Sequence, residues 1–241
     1  MNDKISIVLP TYNESQNMPG LIDEISRRVT ADVCIGNPPE IIVVDDNSPD
    51  GTADVCRSLG NTRRSVNVIV RTHERGLGSA VKRGILESKG DVVLVMDADF
   101  SHDCAMVPRL LAALKEDSTD IAVASRYTCG GNMTASPHLS VGSRSLNLFI
   151  RTVLSMPVKD ITGGFFAVRR AALDSLNFDS IFTGYGDYCI ALLYKGFKKG
   201  WHFEEIPFSY HPRRNGMSKT GFLKAGLTYG IRALKLRMGL D

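Results

Sequence analysis

The chain has 241 residues, of which 43% are hydrophobic and 23% are charged, and its formal net charge is +3. This length suits one large domain or two small ones, and the small charge gives no reason to expect a nucleic-acid partner. The five cysteines are widely spaced and form no Cys-x-x-Cys pair, which favours a reduced, cytoplasmic setting. No apolar run approaches the roughly 20 residues that cross a bilayer, and the chain enters a strand at once. We therefore predict neither a membrane span nor a signal peptide.

Short runs rich in β-branched residues recur along the chain and alternate, in its first half, with helix-like segments. The predicted strands are residues 5–9, 41–44, 66–70, 92–96, 121–124, 165–168 and 201–206. Residues 14–28 place Leu21, Ile22 and Ile25 on one helical face, and a second helix follows the turn before Thr52. Such alternation is typical of a parallel sheet with crossover helices. We predict an α/β fold with a mostly parallel, Rossmann-like sheet flanked by helices.

Two amphipathic helices are predicted in the second half of the chain. The first covers residues 146–154, and the second follows Lys219. The second helix has basic residues around one apolar stripe, which comprises Leu223, Leu227, Ile231, Leu234 and Met238. Such a helix either lies in a membrane interface or packs its stripe on the protein's own core, and the sequence leaves both open. We predict a single domain over residues 1–220 and an amphipathic helix over residues 221–241.

Two acidic residues, Asp97 and Asp99, stand where the apolar run 92–96 ends. In open α/β sheets, ligands bind in the crevice beyond the carboxyl ends of the strands. Carboxylates there select hard cations, and Mg²⁺ is typically held by one or two carboxylates together with substrate phosphates. The pair predicts a Mg²⁺ or Mn²⁺ site for a nucleotide diphosphate, although an isolated Asp-x-Asp also occurs in simple turns.

Polar residues also follow the first two predicted strands. The first strand leads into residues 10–14, and the second into residues 45–52. If these strands are parallel neighbours of the strand before Asp97, their ends meet at one crevice. There Asp46 would accept hydrogen bonds from the N–H groups of a nucleobase, and Tyr12 would stack on it. Each segment alone is also a good turn.

Four motifs occur in the order found in family 2 glycosyltransferases. They are Pro-Thr-Tyr-Asn-Glu at 10–14, Asp-Asp-Asn-Ser-Pro-Asp-Gly-Thr at 45–52, Gly-Leu-Gly-Ser-Ala at 76–80 and Asp-Ala-Asp at 97–99. Further matches lie at residues 125–127, 160–165 and 213–219. Over roughly residues 4–220, the chain resembles the branch of this family that contains the dolichol-phosphate mannosyltransferases.

This resemblance implies a GT-A fold and inverting transfer of a hexose from a nucleotide sugar to a polyprenyl or dolichyl phosphate on the cytoplasmic leaflet. Mannose from GDP-mannose is the first expectation, and UDP-glucose is the other donor considered. The cofactor would be Mg²⁺ or Mn²⁺. A lipid acceptor would require the enzyme to reach a bilayer, either by peripheral attachment to the membrane surface or through a small membrane subunit.

The resemblance also implies roles for individual residues. The donor-binding residues would be Pro10, Tyr12, Glu14, Asp46, Asp97, Ala98, Arg213, Ser218 and Lys219. The metal ligands would be Asp97, Asp99 and Ser101, and catalysis would involve Asp97, Asp99 and Arg126. Arg126, Arg213 and Lys219 are candidate cationic clamps on phosphate groups. His102 has no assigned role in the match, and we interpret it as a structural histidine.

The chain departs from the family pattern just before a predicted helix, where Tyr188 and Ile190 replace Gln and Glu. The missing Glu matters because a hydroxyl acceptor needs a general base, whereas a phosphate acceptor is already ionised. Asp187 is therefore open to two interpretations: a shifted catalytic base for a hydroxyl acceptor, or the N-cap of the helix over residues 188–195.

Two further classes of protein share parts of this sequence pattern. A non-catalytic subunit that binds a nucleotide sugar would keep the same crevice, although intact Asp97 and Asp99 argue against it. An oxidoreductase is disfavoured because Val81 replaces the third glycine of the dinucleotide fingerprint that begins at Gly76.

Overall fold

The computed structural model describes residues 3–29, 38–62, 65–116, 118–134, 137–214 and 222–240. A seven-stranded sheet lies at its centre, with strand order β3-β2-β1-β4-β7-β5-β8. These strands are β1 (Ile5–Thr11), β2 (Glu40–Asp45), β3 (Val66–Val70), β4 (Val92–Val95), β5 (Ile121–Ser125), β7 (Phe166–Arg169) and β8 (Phe203–Pro207). Two short strands, β6 (Asn132–Met133) and β9 (Ser209–Tyr210), form a separate parallel pair.

The strands of the large sheet are parallel except for β7, which runs antiparallel to both β4 and β5. The α/β prediction with a mostly parallel, Rossmann-like sheet is confirmed. The helices are α1 (Met18–Arg28), α2 (Thr52–Thr62), α3 (Leu77–Glu87), α4 (Met106–Ala113), α5 (Pro137–Leu154), α6 (Arg170–Asp174), α7 (Tyr188–Lys198) and α8 (Phe222–Met238).

Helices cover both faces of the sheet, which explains why strands such as β4 consist entirely of buried apolar residues. One core contains residues of α1 and α4, and the core on the opposite face contains residues of α3, α5, α7 and α8. The chain builds β1, β2 and β3 in one direction and then crosses to β4 on the other side of β1. The order of strands therefore reverses between β1 and β4, where a ligand crevice is expected.

Some predicted element boundaries are wrong, and the largest difference is at α5, which begins at Pro137 rather than at residue 146. The first helix begins at Met18 rather than at residue 14, because residues 14–17 form a turn in which the amide of Asn17 donates to the carbonyl of Glu14. The last strand of the large sheet begins at Phe203 rather than at residue 201, and Trp201 packs in the core before it.

The C-terminal helix is present, but its predicted stripe is not the face that packs on the protein. Leu227 is 69% exposed and Ile231 is 46% exposed, and Leu234 and Met238 are exposed as well. The buried face of α8 instead carries Ala233 and Leu236. The interpretation that the stripe packs on the core is therefore wrong for these four residues, and the side chain of Leu223 lies outside the described part. Among the described helices, none is long and apolar enough to cross a membrane.

Candidate active site

A cavity of about 410 Å³ lies at the carboxyl ends of β1, β2 and β4. The ends of all three strands contribute to it, which confirms that they converge. The lining residues named in the sequence analysis are Pro10, Tyr12, Glu14, Asp46, Gly76, Asp97, Ala98, Asp99, His102, Arg126, Tyr188 and Arg213. The cavity also takes residues from the start of α3, from segments 162–164 and 185–189, and from α8. The strand ends thus form one wall, and distant parts of the chain form the rest.

Asp46 lies in this cavity with both carboxylate oxygens already hydrogen-bonded. Oδ1 accepts from the guanidinium of Arg71, with 2.8 Å to Nε, and Oδ2 accepts from the amide of Gly76 at 2.8 Å. Buried Arg71 also donates to the carbonyl of Gly76 and to Ser79. Gly76 has φ +134°, a conformation that favours glycine. Asp46 and Arg71 therefore fix the loop that opens α3, a role that the sequence did not indicate.

Tyr12 lies at the same end of the cavity as Asp46. The guanidinium carbon of Arg75 lies 5.3 Å from the centre of the Tyr12 ring. A nucleobase that stacked on Tyr12 would therefore lie near the cation of Arg75, which is already attracted to the π face of the Tyr12 ring.

Asp97 and Asp99 form the acidic pair of the cavity, which Glu14 and Asp46 also line. Asp99 is almost fully buried, and its carboxylate accepts from the amide of Ser101 at 2.9 Å and pairs with Nε of Arg213 at 3.0 Å. The side chain of Asp97 is 33% exposed. Desolvation raises the pKa of Asp97, an effect that His102 opposes, and repulsion from Asp99 raises it further. A positive charge between the two carboxylates would relieve this repulsion.

The donor set fits Mg²⁺ or Mn²⁺, because Asp97 and Asp99 present hard oxygens to a cavity large enough for phosphates. The described residues contain no cluster of three or more potential ligands among His, Cys, Asp and Glu. The remaining ligands would therefore be substrate phosphates and water, as is usual for Mg²⁺.

Ser101 is not placed as the metal ligand that the sequence predicts. Its side chain is fully buried and does not line the cavity. Phe100, directly before it, adopts a left-handed conformation with φ +64°, and this turn carries Ser101 into the interior. Its contribution to the acidic pair is the main-chain amide that donates to Asp99.

Arg126 faces the cavity, but its charge is matched by a buried partner. Its Nε and Nη2 donate to the two oxygens of Asp160 at 2.7 Å and 2.8 Å, and Nη2 also donates to Thr162 at 2.9 Å. Burial disfavours the charged form of Asp160, but Arg126 outweighs this effect and holds its pKa below the usual range. The guanidinium is therefore rigid. Asp160 lies in the matched segment 160–165, but the sequence analysis gave it no role.

Asp187 stands directly before α7, the position expected of an N-cap, but its side chain does not cap the helix. Its Oδ1 accepts from the amide of Tyr185 at 2.8 Å, and its Oδ2 lies 4.0 Å from Nε of Arg232 on α8. Asp187 is buried and does not line the cavity, whereas its neighbours Tyr188 and Cys189 do. The geometry therefore does not favour a base at this position.

Helix α8 contributes to the cavity through Tyr229, which the sequence analysis did not single out. Tyr229 is on the packed face of α8, away from the predicted stripe. The predicted donor contacts Ser218 and Lys219 lie outside the described residues, and the structure places only Arg213 and Arg214 of their motif.

The sheet, the cavity at its switch point and the acidic pair define a protein of the GT-A class of glycosyltransferases. Glucosyl-3-phosphoglycerate synthase from Mycobacterium tuberculosis, solved with Mn²⁺, UDP and product, superposes with a TM-score of 0.73. The match covers 98% of this chain and 80% of the synthase at 24% sequence identity. The same synthase has also been solved with Mg²⁺ and UDP. At this identity, the comparison shows the fold.

The sequence model of glycosyl transferase family 2 matches residues 6–176. The chain therefore belongs to glycosyl transferase family 2. It is 37% identical to the dolichol-phosphate mannosyltransferase of Pyrococcus furiosus over 90% of its own length, but it spans only 59% of that relative. It is 31% identical to the undecaprenyl-phosphate mannosyltransferase of Micrococcus luteus over 98% of this chain and 100% of the relative.

Proposed function

We propose that this protein transfers mannose from GDP-mannose to a polyprenyl phosphate at a membrane surface. The observation that carries this proposal is a cavity that combines an acidic pair with three arginines and that is also lined by Tyr229 of α8, the helix with the exposed apolar stripe. The names of the two curated relatives support a lipid-phosphate acceptor and mannose as the sugar. The assignment to family 2 of the glycosyltransferases does not depend on which sugar or acceptor the protein uses.

The donor would lie along the ends of the strands. Pro10, Tyr12, Glu14 and Asp46 would hold the nucleoside. Asp97 and Asp99 would hold Mg²⁺ or Mn²⁺ against the diphosphate. When bound, such a metal supplies a Lewis acid that stabilises the negative charge on the leaving diphosphate. Lys219 and Ser218 would complete the donor contacts together with Arg213.

The acceptor chemistry requires no base. An oxygen of the lipid phosphate attacks the anomeric carbon, and the bond to the nucleoside diphosphate breaks with its electron pair on the departing oxygen. The attacking oxygen is already ionised, so no proton must be removed. Asp160 and Thr162 hold Arg126 rigidly at the cavity, where it would orient a phosphate.

The membrane contact would be an apolar face formed by two neighbouring helices, α5 and α8. We define this face as Leu148, Phe149, Leu227, Ile231, Leu234 and Met238, all of which are exposed. Exposed Lys235 and Arg237 lie on the same helix. An apolar face flanked by cations is the pattern of a helix that lies in an anionic membrane interface.

Charging the apolar face is expected to prevent vesicle binding. The double variant Ile231→Glu/Leu234→Glu places two carboxylates where each side chain would otherwise gain about 1.5–3 kcal/mol on full burial. We expect recovery with floated anionic vesicles to fall more than tenfold, while turnover of a short, water-soluble polyprenyl phosphate stays unchanged. Leu86→Glu, at an equally exposed leucine on α3, is the matched control and should float like the wild type. Equal flotation of the double variant would exclude this face.

The proposed reaction is tested by incubating the protein with Mn²⁺, a short polyprenyl phosphate and radiolabelled GDP-mannose or UDP-glucose. We expect label from GDP-mannose in the organic phase, and none after chelation of the metal. A parallel incubation contains 3-phosphoglycerate as a hydroxyl acceptor. Its free hydroxyl, unlike the ionised lipid phosphate, would need a general base to remove its proton. Label in that water-soluble product alone would replace the proposal with a hydroxyl acceptor. Nucleotide binding without product in any incubation would indicate a non-catalytic subunit.

Asp187→Asn separates the two acceptor chemistries in the same assay. Loss of a general base typically lowers the rate about 10²–10⁴-fold. Because Asp187 faces Tyr185 and Arg232 rather than the cavity, we expect transfer to the lipid phosphate to change less than tenfold. A loss of the larger size, with normal GDP binding, would restore Asp187 as the base.

A further inference from the structure

We propose that His102 is a positioning residue for Asp97, and that it fixes both the main chain and the carboxylate of this acidic residue. The inference rests on the proposed function in one respect, namely that Asp97 helps to hold the metal and diphosphate. His102 itself is almost fully buried. Nothing in its position in the sequence distinguishes it from a core histidine.

Two contacts join the imidazole to Asp97. The amide of Asp97 donates to Nδ1 of His102 at 2.9 Å. Because an amide can only donate, Nδ1 must carry a lone pair, and the proton of the neutral ring must be on Nε2. Nε2 lies 3.7 Å from Oδ2 of Asp97, close to the carboxylate but beyond hydrogen-bond distance. One ring therefore contacts both ends of the same residue.

Aromatic side chains hold this ring in place. Phe165 stacks on it with 4.6 Å between ring centres and an interplanar angle of 11°. Phe208 and Tyr210 pack against it edge to face at 6.0 Å and 6.1 Å. A ring packed in this way cannot turn over to exchange its nitrogens without displacing three neighbours. The tautomer and the orientation of the imidazole are thus fixed before any ligand binds.

The contacts of His102 restrain Asp97 against repulsion from the neighbouring carboxylate of Asp99. Asp97 and Asp99 repel each other, and Asp99 is held by Ser101 and Arg213, so Asp97 is the carboxylate that would move away. The contacts of His102 with the amide and the carboxylate limit this movement of Asp97. Outer partners that orient a metal-binding carboxylate typically account for about 10–100-fold in metal affinity.

Three substitutions test separately the contact of Nδ1 with the amide of Asp97 and the contact of Nε2 with its carboxylate. His102→Asn keeps an oxygen near the position of Nδ1, His102→Gln extends an amide towards the position of Nε2, and His102→Phe keeps only the ring. The measurement is Mn²⁺ affinity in the presence of GDP, from the electron paramagnetic resonance signal of free Mn²⁺. His202→Asn, at an exposed histidine on the surface, serves as the control.

We expect His102→Phe to weaken Mn²⁺ binding about 10–100-fold, with intermediate losses for Asn and Gln and none for His202→Asn. GDP binding without metal should be unchanged in every variant, which separates positioning from a general loss of structure. If Asn and Gln fold normally and bind Mn²⁺ as the wild type does, the inference is wrong and the proposed function stands. If the losses are observed but no variant or wild type yields lipid product, the inference stands and the proposed function fails.

Discussion

Asp99→Asn is expected to lower glycosyl transfer about 10²–10³-fold without unfolding the protein. A metal at this position supplies several kcal/mol of charge stabilisation in the transition state, and each ~1.4 kcal/mol corresponds to a factor of ten in rate. Asparagine keeps the shape of the side chain and an oxygen that can still accept from the amide of Ser101. The change therefore keeps the bond to Ser101 and removes the charge, including the charge that pairs with Arg213.

The control for this prediction is Asp103→Asn on the same loop. Asp103 accepts from the amide of Ala105 at 2.8 Å, a bond that asparagine preserves, and it does not line the active-site cavity. Both variants lose one negative charge within four residues of each other. Turnover and Mn²⁺ binding are measured together, and only Asp99→Asn should lose both. Equal activity of the two variants would show that the acidic pair does not hold the metal.

The strand-end wall of the cavity is predictable because its signals are local. The apolar run before Asp97, the polar residues after β1 and the turn after Asp46 each identify a strand and its end within about ten residues of sequence. Parallel neighbours then bring the strand ends together. For this reason Tyr12, Asp46, Asp97 and Asp99 all line the cavity in which the sequence places them.

The partners of these residues are not predictable in the same way, because they are distant in the sequence. Arg71 lies 25 residues from Asp46, and Asp160 lies 34 residues from Arg126. Each is one charged residue among many, and no periodicity links it to its partner. Sequence reasoning therefore treats Arg126 as a free cation, although in the fold it is half of a buried ion pair.

Helix α8 shows why periodicity alone assigns the wrong face. Its exposed stripe and its packed face, which carries Tyr229 and Ala233, both follow helical spacing. The stripe is the more apolar of the two, and the interpretation that it packs on the core follows from that. Helical spacing does not reveal which face the neighbouring helices cover. In the structure α5 and α7 contact α8, and the larger apolar side chains of the stripe stay exposed.

The ion pair between Arg126 and Asp160 leads to the largest expected effect on stability. Asp160→Asn leaves the guanidinium buried without a counter-charge, and breaking a buried pair in this way typically destabilises a protein by about 3–5 kcal/mol. We expect urea unfolding at pH 7 to show a loss of this size. The double variant Asp160→Asn/Arg126→Met should recover part of it, because the unpaired charge is removed.

The pH dependence of the loss identifies its cause. The pKa of Asp160 is lowered in the folded state, so its contribution is complete above the unfolded pKa, close to 3.8, and is lost as the pH falls through the folded value. The free energies of unfolding of the wild type and Asp160→Asn should therefore differ most near neutral pH and converge in acid. Asp179→Asn, which breaks the exposed pair with Lys82, is the matched control and should change stability little. A difference between wild type and Asp160→Asn that stays constant down to low pH would mean that lost packing, rather than lost charge, destabilises the variant.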